Sequence, residues 1–387
     1  MRFADPTRRR FLASAAGAGL TAALGPGPVR GRDARTDLDP KALQAVLDKG
    51  YDFLKSKQKA DGSFAPPQAG EPGVTALATA ALIRAGRDAS DPVVAKGLTY
   101  LEGMVKPDGG VYAKGLANYT TALAVMTFKE ANAGGKYDRA IAAGVKFLRT
   151  LQYGEGDDVS DKDGKFGGAG YDRKGARGGP DMSNTHFFVE ALVAGGASRD
   201  DPAVKKALAF LSRSQNLPGE FNDREYAKQV ADEDRGGFVY NPLAAGDLKN
   251  QKRTPAGGLR SEGGMTYAGL KSFLYAGVSK DDPRVKAAVD WVRRHYTLTE
   301  NPGMGQDGLF YYYQVFAKAM DALGEDRFAD AQGVKHDWRK ELFDVLKAKQ
   351  NPDGSWSNDK SRAYLENLPE LATGFAVLAL SYCNTRK

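Results

Sequence analysis

Asp91-Pro-Val-Val-Ala-Lys-Gly-Leu-Thr-Tyr-Leu101, Asp201-Pro-Ala-Val-Lys-Lys-Ala-Leu-Ala-Phe-Leu211 and Asp282-Pro-Arg-Val-Lys-Ala-Ala-Val-Asp-Trp-Val292 align without a gap. Each opens on Asp followed by Pro. That pair marks a helix start, because the carboxylate accepts from the free amides of the first turn and Pro needs no donor there. Each then places apolar residues at helical spacing, as at Val204, Leu208 and Leu211. Segments 43–58, 137–152 and 337–350 share the pattern less closely. Four of the six segments end alike: Leu54, Leu148, Leu211 and Leu346 each stand four residues before Gln58, Gln152, Gln215 and Gln350.

Between these amphipathic segments lie stretches of another kind, at roughly 74–86, 118–133, 184–195, 265–277, 309–323 and 371–383. They are apolar or small nearly all round, as in Thr75-Ala-Leu-Ala-Thr-Ala-Ala-Leu-Ile83. A helix with that pattern is buried. A half-exposed helix thus alternates with a buried one, six times over. The simplest closure puts the buried helices in an inner ring and the amphipathic ones outside it: an all-α (α/α)6 toroid. An open solenoid would need polar capping repeats at its ends. The last segment, Leu371 to Cys383, is instead as apolar as the middle ones. Inner-to-outer connections are short. Outer-to-inner connections are long, at about 59–73, 106–117, 153–183, 216–264, 297–308 and 351–370, and rich in Gly and aromatics. They should emerge on one face, where function usually sits.

The connection Gln350-Asn-Pro-Asp-Gly354-Ser-Trp356 resembles the Q-x3-G-x-W repeat of squalene and oxidosqualene cyclases. Gln58-Lys-Ala-Asp-Gly62-Ser-Phe64 and Gln215-Asn-Leu-Pro-Gly219-Glu-Phe221 match it with Phe for Trp. The second pair keeps only Asp108-Gly109-Gly110, and the third carries its glycines late, at Gly167-Gly168. On this repeat, residues 37–387 are similar to the squalene-cyclase-like and protein-prenyltransferase toroid superfamily. Asp181-Met-Ser-Asn-Thr-His-Phe187, Gly264-Met-Thr-Tyr-Ala-Gly-Leu270 and Asn301-Pro-Gly-Met-Gly-Gln-Asp-Gly308 with Tyr311-Tyr-Tyr313 resemble a bacterial group known as prenyltransferase and squalene oxidase repeat proteins. The repeat motif is structural in that family, so the resemblance implies a fold and leaves the reaction open.

Departures from the family bear on chemistry. Protein prenyltransferases of this fold bind zinc through Asp, Cys and His; here Cys383 is the sole cysteine, with His186, His295 and His336 scattered, and no metal or cofactor site is expected. Triterpene cyclases protonate substrate with Asp-x-Asp-Asp; the nearest match is Asp232-Glu-Asp234-Arg235, where Arg replaces the last acid. A cyclase of this kind needs a carboxylic acid kept protonated in an apolar cavity, with aromatic faces to steady carbocations. Asp181, Asp234, Glu262 and Asp307 are the candidate acids, three of them just before a buried helix. His186, Phe187, Tyr267, Phe310, Tyr311, Tyr312 and Tyr313 cluster at inner-helix starts and are the candidate cavity lining. Each has a plain structural alternative: helix capping for the acids, core packing for the aromatics. Lys249, Lys252, Arg253 and Arg260 could hold a diphosphate or merely decorate a solvated loop.

The chain has 387 residues and 42% apolar composition, enough for a large core. Of its formal charge of +7, residues 1–36 contribute +5, so the body carries only about +2 and shows no basic stripe for nucleic acid. After residue 40 no apolar run reaches the ~20 residues of a membrane span. Thr7-Arg8-Arg9-Arg10-Phe11-Leu12, followed by an apolar run to Leu24, resembles a twin-arginine signal. Residues 1–36 are therefore expected to be an export signal and linker, delivering the body to the periplasm or surface of a bacterium. Three function classes remain open, the first two being a cyclase-like protein acting on or binding a polyprenyl lipid and a non-catalytic toroid holding a glycan or protein. A sugar lyase or hydrolase is a third. The signal carries a test: residues 1–36 fused to a folded reporter should export it, and Arg8→Lys/Arg9→Lys should abolish export in a fractionation assay.

Overall fold

A computed structural model describes residues 35–64, 72–172, 179–243 and 252–385. The signal-like segment at 7–12 and Lys249 lie outside the described residues. Within them the regular secondary structure is almost wholly helical, joined by long loops. In chain order the helices are α1 (Pro40–Lys57), α2 (Gly73–Arg84), α3 (Pro92–Gly103), α4 (Ala117–Glu130), α5 (Asp138–Arg149), α6 (Met182–Ala194) and α7 (Pro202–Arg213). Then come the single turn α8 (Glu225–Lys228), α9 (Gly263–Tyr275), α10 (Pro283–Arg294), α11 (Leu309–Leu323), α12 (Trp338–Lys349) and α13 (Pro369–Ser381). A two-stranded antiparallel ribbon, Phe328–Ala329 with Lys335–His336, joins α11 to α12.

The Asp-Pro starts form as the sequence dictates. Asp91, Asp201 and Asp282 cap α3, α7 and α10, each accepting from a first-turn amide with Pro at the head of the helix. These helices bury one stripe; α7 buries Val204, Ala207, Leu208 and Leu211. By contrast α2, α4, α6, α9 and α13 are buried over most of their surface. Helices α2, α4, α6, α9, α11 and α13 each contact the next in that order, and α13 returns to α2. Helices α1, α3, α5, α7, α10 and α12 pack against members of that ring. The result is a closed helical toroid.

The glutamine motif supplies the closure. Gln350 Nε2 donates to the Gly354 carbonyl in its own loop at 3.1 Å and to Val46 of α1 at 3.0 Å. Gln58 does the same with Gly62 and Val93 of α3, Gln152 with Gly167 and Ala203 of α7, and Gln215 with Gly236 and Arg284 of α10. One amide thus satisfies a turn carbonyl and a carbonyl of the next outer helix. The glycine is required for two reasons. Gly354 has φ +87, and a Cβ there would lie 2.3 Å from the Lys49 carbonyl of α1. Gly62, Gly109, Gly167 and Gly236 hold the same station, each against a backbone carbonyl of the following outer helix. Two residues beyond each glycine, a backbone N–H donates to a threonine hydroxyl on the inner helix: Phe64 to Thr75, Val111 to Thr121, Ala169 to Thr185, Phe238 to Thr266 and Trp356 to Thr373.

The third glutamine copy departs from its sequence reading. Gly219 and Phe221 do not hold the motif stations; Gly236 and Phe238 do. Residues 217–235 loop out, and they carry α8. Gly219 bridges Asn222 within that insertion, and the Phe221 ring lies 4.0 Å beneath the Arg284 guanidinium. Contiguity misled here because the turn is defined by what Gln215 bonds, not by its spacing in sequence.

Gly236→Ala should cost at least ~2 kcal/mol, since it combines a left-handed backbone with a Cβ 2.2 Å from the Ala287 carbonyl. Gly103→Ala, on α3 with open space around it, should instead stabilise by ~0.5–1 kcal/mol. Urea unfolding midpoints read both.

Candidate functional site

The starts of the ring helices converge on one cavity of about 310 Å³. Val74 and Leu77 of α2, Tyr119 and Leu123 of α4, Ser183 of α6, Met265 of α9, Tyr311 of α11 and Phe375 of α13 all line it. Loop residues Leu116, Tyr171, Tyr240, Glu262, Asn301, Met304, Tyr364 and Leu365 complete the wall. The inner helices therefore run parallel, and the long loops meet at their N-terminal ends as the connection lengths imply. The lining is mainly apolar and aromatic. Leu116, Tyr364 and Leu365 each adopt a left-handed backbone at φ +59, +59 and +61, a strain that clusters at functional sites. Tyr364 and Leu365 are also half exposed, at 52% and 51%, on the cavity rim.

The four candidate acids part company. Glu262 lines the cavity; burial pushes its carboxyl up, while the Lys252 ammonium, paired with it, opposes that shift. Asp181 caps α6 one step behind the wall. It accepts from Asn184 N at 2.9 Å, Asn184 Nδ2 at 2.8 Å and Ser183 Oγ at 2.8 Å, and burial still raises it. Ser183 Oγ is also 3.4 Å from Tyr240 Oη, which contacts Tyr171 Oη at 2.7 Å, so polar contacts run from Asp181 to the cavity surface. Asp234 accepts from Ser261 N at 2.6 Å and pins the turn before Glu262. Asp307 accepts from Ser361 Oγ at 2.5 Å and ties two loops together. Neither Asp234 nor Asp307 is part of the cavity wall.

Of the seven residues expected to line a cavity, Tyr311 does so. His186 and Phe187 lie behind it, their rings 6.0 and 6.4 Å from the Tyr311 ring. Tyr267, Phe310, Tyr312 and Tyr313 are buried in the core between helices, with Tyr312 and Tyr313 donating to the carbonyls of Thr297 and Leu298. Four consecutive aromatics cover every helix face, and three of these four faces meet other helices rather than the axis. Of the basic residues, Lys252 pairs with Glu262, whereas Arg253 lies in a separate groove with Arg213 and Arg224.

The sequence reading missed the most charged part of the core. Glu190 of α6 accepts from Lys271 Nζ of α9 and Lys318 Nζ of α11, both at 2.6 Å, and all three are buried. Lys271 Nζ also lies 3.1 Å from His186 Nδ1, and His186 Nε2 lies 2.6 Å from Tyr311 Oη. Burial opposes ionisation of Glu190, yet the two ammoniums hold it well below the usual carboxylate range. Burial pushes Lys271 down to about 8 against the pull of Glu190. Burial and the neighbouring Lys271 charge keep His186 neutral. The signal was present: a charged residue in the middle of Phe187-Phe-Val-Glu190-Ala-Leu, of Leu270-Lys271-Ser and of Phe316-Ala-Lys318 is anomalous in helices greasy all round. Glu366 was missed too; it is buried and accepts from Tyr311 N at 2.8 Å and Asn358 Nδ2 at 2.9 Å, capping α11.

With this geometry in hand, comparisons with known proteins agree with the fold. The family model for the squalene-hopene cyclase C-terminal domain matches residues 69–231. No curated protein matches. A type II terpene cyclase from Scytonema, solved with geranylgeranyl dihydroxybenzoate as substrate, is 12% identical, with 89% of this chain and 97% of that one covered and a TM-score of 0.51. An alpha-amylase from Clostridium perfringens has 11% identity, coverage of 88% and 97%, and a TM-score of 0.53. A D-mannose isomerase has 10% identity, coverage of 90% and 99%, and a TM-score of 0.51. The chain has the squalene-cyclase-like toroid fold that its repeats resemble, and likeness at this identity speaks to the fold alone.

Glu190→Gln leaves two buried ammoniums without their counter-charge. It should cost ~3–5 kcal/mol of stability. Lys271→Met, which leaves a balanced Glu190–Lys318 pair, should cost clearly less. Chemical denaturation of the two variants checks the order.

Proposed function

We propose that this chain is an (α/α)6 toroid of six inner and six outer helices that binds an isoprenoid-like apolar ligand in its central cavity, cyclase-like in design, after export from the cytoplasm. The observation that carries the reading is the cavity wall. Val74, Leu77, Leu123, Met265, Leu371 and Phe375 present hydrocarbon, and Tyr119, Tyr171, Tyr240 and Tyr311 present aromatic rings. A volume of about 310 Å³ lies at the lower end of the ~300–1,000 Å³ of small-molecule sites. Aromatic faces suit isoprenoid double bonds and the cations formed from them. If the ligand is turned over, Glu262 is the acid that meets it, because it alone of the four candidates reaches the wall. The sugar enzymes that share the fold favour the glycan alternative only by analogy, and an apolar wall offers a sugar few partners. Export rests on the twin-arginine-like motif at residues 7–12.

Calorimetric titration with farnesol should show binding, and titration with maltotriose should not. Leu123→Trp, which fills the cavity from α4, should weaken farnesol binding by about tenfold or more, equivalent to ~1.4 kcal/mol. Maltotriose binding without farnesol binding would replace this reading with the glycan one.

A further inference from the structure

We infer that the Tyr311 hydroxyl is a fixed hydrogen-bond donor in the cavity, and that the ligand is an apolar molecule bearing an acceptor oxygen. This rests on the apolar-ligand reading above and adds a polar end to it. The direction of each hydrogen bond follows from one group. Lys271 is an ammonium at neutral pH and can only donate. Its partner His186 Nδ1, at 3.1 Å, must therefore accept, which places the ring proton on Nε2. Nε2–H then donates to Tyr311 Oη at 2.6 Å. The phenol has spent an acceptor site on His186 and keeps its own proton to give. Glu366 fixes the same residue from the other side through the Tyr311 backbone N–H. The tyrosine is thus held at both ends and lines the cavity.

Behind that histidine, Lys271 and Lys318 share Glu190, and all three are buried. Neither Lys271, Lys318 nor Glu190 touches the wall, so their role is to position and bias the tyrosine.

The test compares farnesol and farnesene in calorimetric titration of the full chain. The alcohol should bind about tenfold or more tighter than the hydrocarbon. Tyr311→Phe, which keeps the ring, should bring the two within about twofold of each other while farnesene affinity holds. Equal binding of alcohol and hydrocarbon by the wild type, or a preference that survives Tyr311→Phe, overturns the inference and leaves the apolar site standing. Failure of both to bind overturns both readings. Histidine nitrogen NMR of the unaltered protein provides a check independent of folding of the variant. The Nε2–H tautomer at His186 is expected, and an Nδ1–H tautomer refutes the arrangement.

Discussion

Closure of the ring depends on one side-chain amide used twice. A glutamine at the end of an outer helix donates both protons, one to the carbonyl of its own turn and one to a carbonyl of the next outer helix. A buried carbonyl left without a donor costs ~1–3 kcal/mol, so the two bonds matter most for what their absence would leave behind. Gln350 to Val46 is the decisive instance, because it joins the last outer helix to the first across 304 positions of sequence. No glutamine serves between α3 and α5 or between α10 and α12. At the second of these seams Tyr296 donates to Glu341 at 2.8 Å, and the loop after α10 instead sends Asn301 to cap the Gly264 amide at the head of α9. That seam also contributes Asn301 and Met304 to the cavity wall.

Everything at the site inherits its position from that closure. Parallel inner helices bring their N-terminal ends together, and the threonine hydroxyls in their first turns hold the loops against them. Loop residues then cover the opening, three of them in backbone conformations that cost about 1–3 kcal/mol apiece. A rigid ring can carry such strain because its own stability lies elsewhere, in helices that exclude water over most of their surface.

The Lys–Glu–Lys cluster is the opposite kind of feature. A buried ion pair rarely stabilises a fold beyond what well-packed hydrocarbon would give, and a third charge adds to the cost. Here it sits directly beneath the cavity and is coupled through His186 to a residue that lines it. A core that could have been hydrocarbon throughout instead orients the Tyr311 hydroxyl, in a chamber whose mainly apolar wall also carries Ser183, Tyr171, Tyr240 and Glu262. The physical logic resembles other polar networks in cores, where complete pairing fixes direction as well as geometry.

Much of this was legible before any coordinates. Asp-Pro starts, the helical stripe of the outer segments and the unbroken apolarity of the inner ones depend on local chemistry, and local chemistry is written residue by residue. The ring, its loop-bearing face and the acids at helix starts followed. Other features depend on which distant groups meet. That Gln215 reaches past an insertion to Gly236, that Tyr311 alone of a run of aromatics turns to the axis, and that Glu190, Lys271 and Lys318 share one buried point are facts of three helices coming together. Side-chain direction on a helix fully enclosed by neighbours leaves no periodic trace, because every face is apolar alike. Only the packed ring separates the face that meets another helix from the face that meets the cavity.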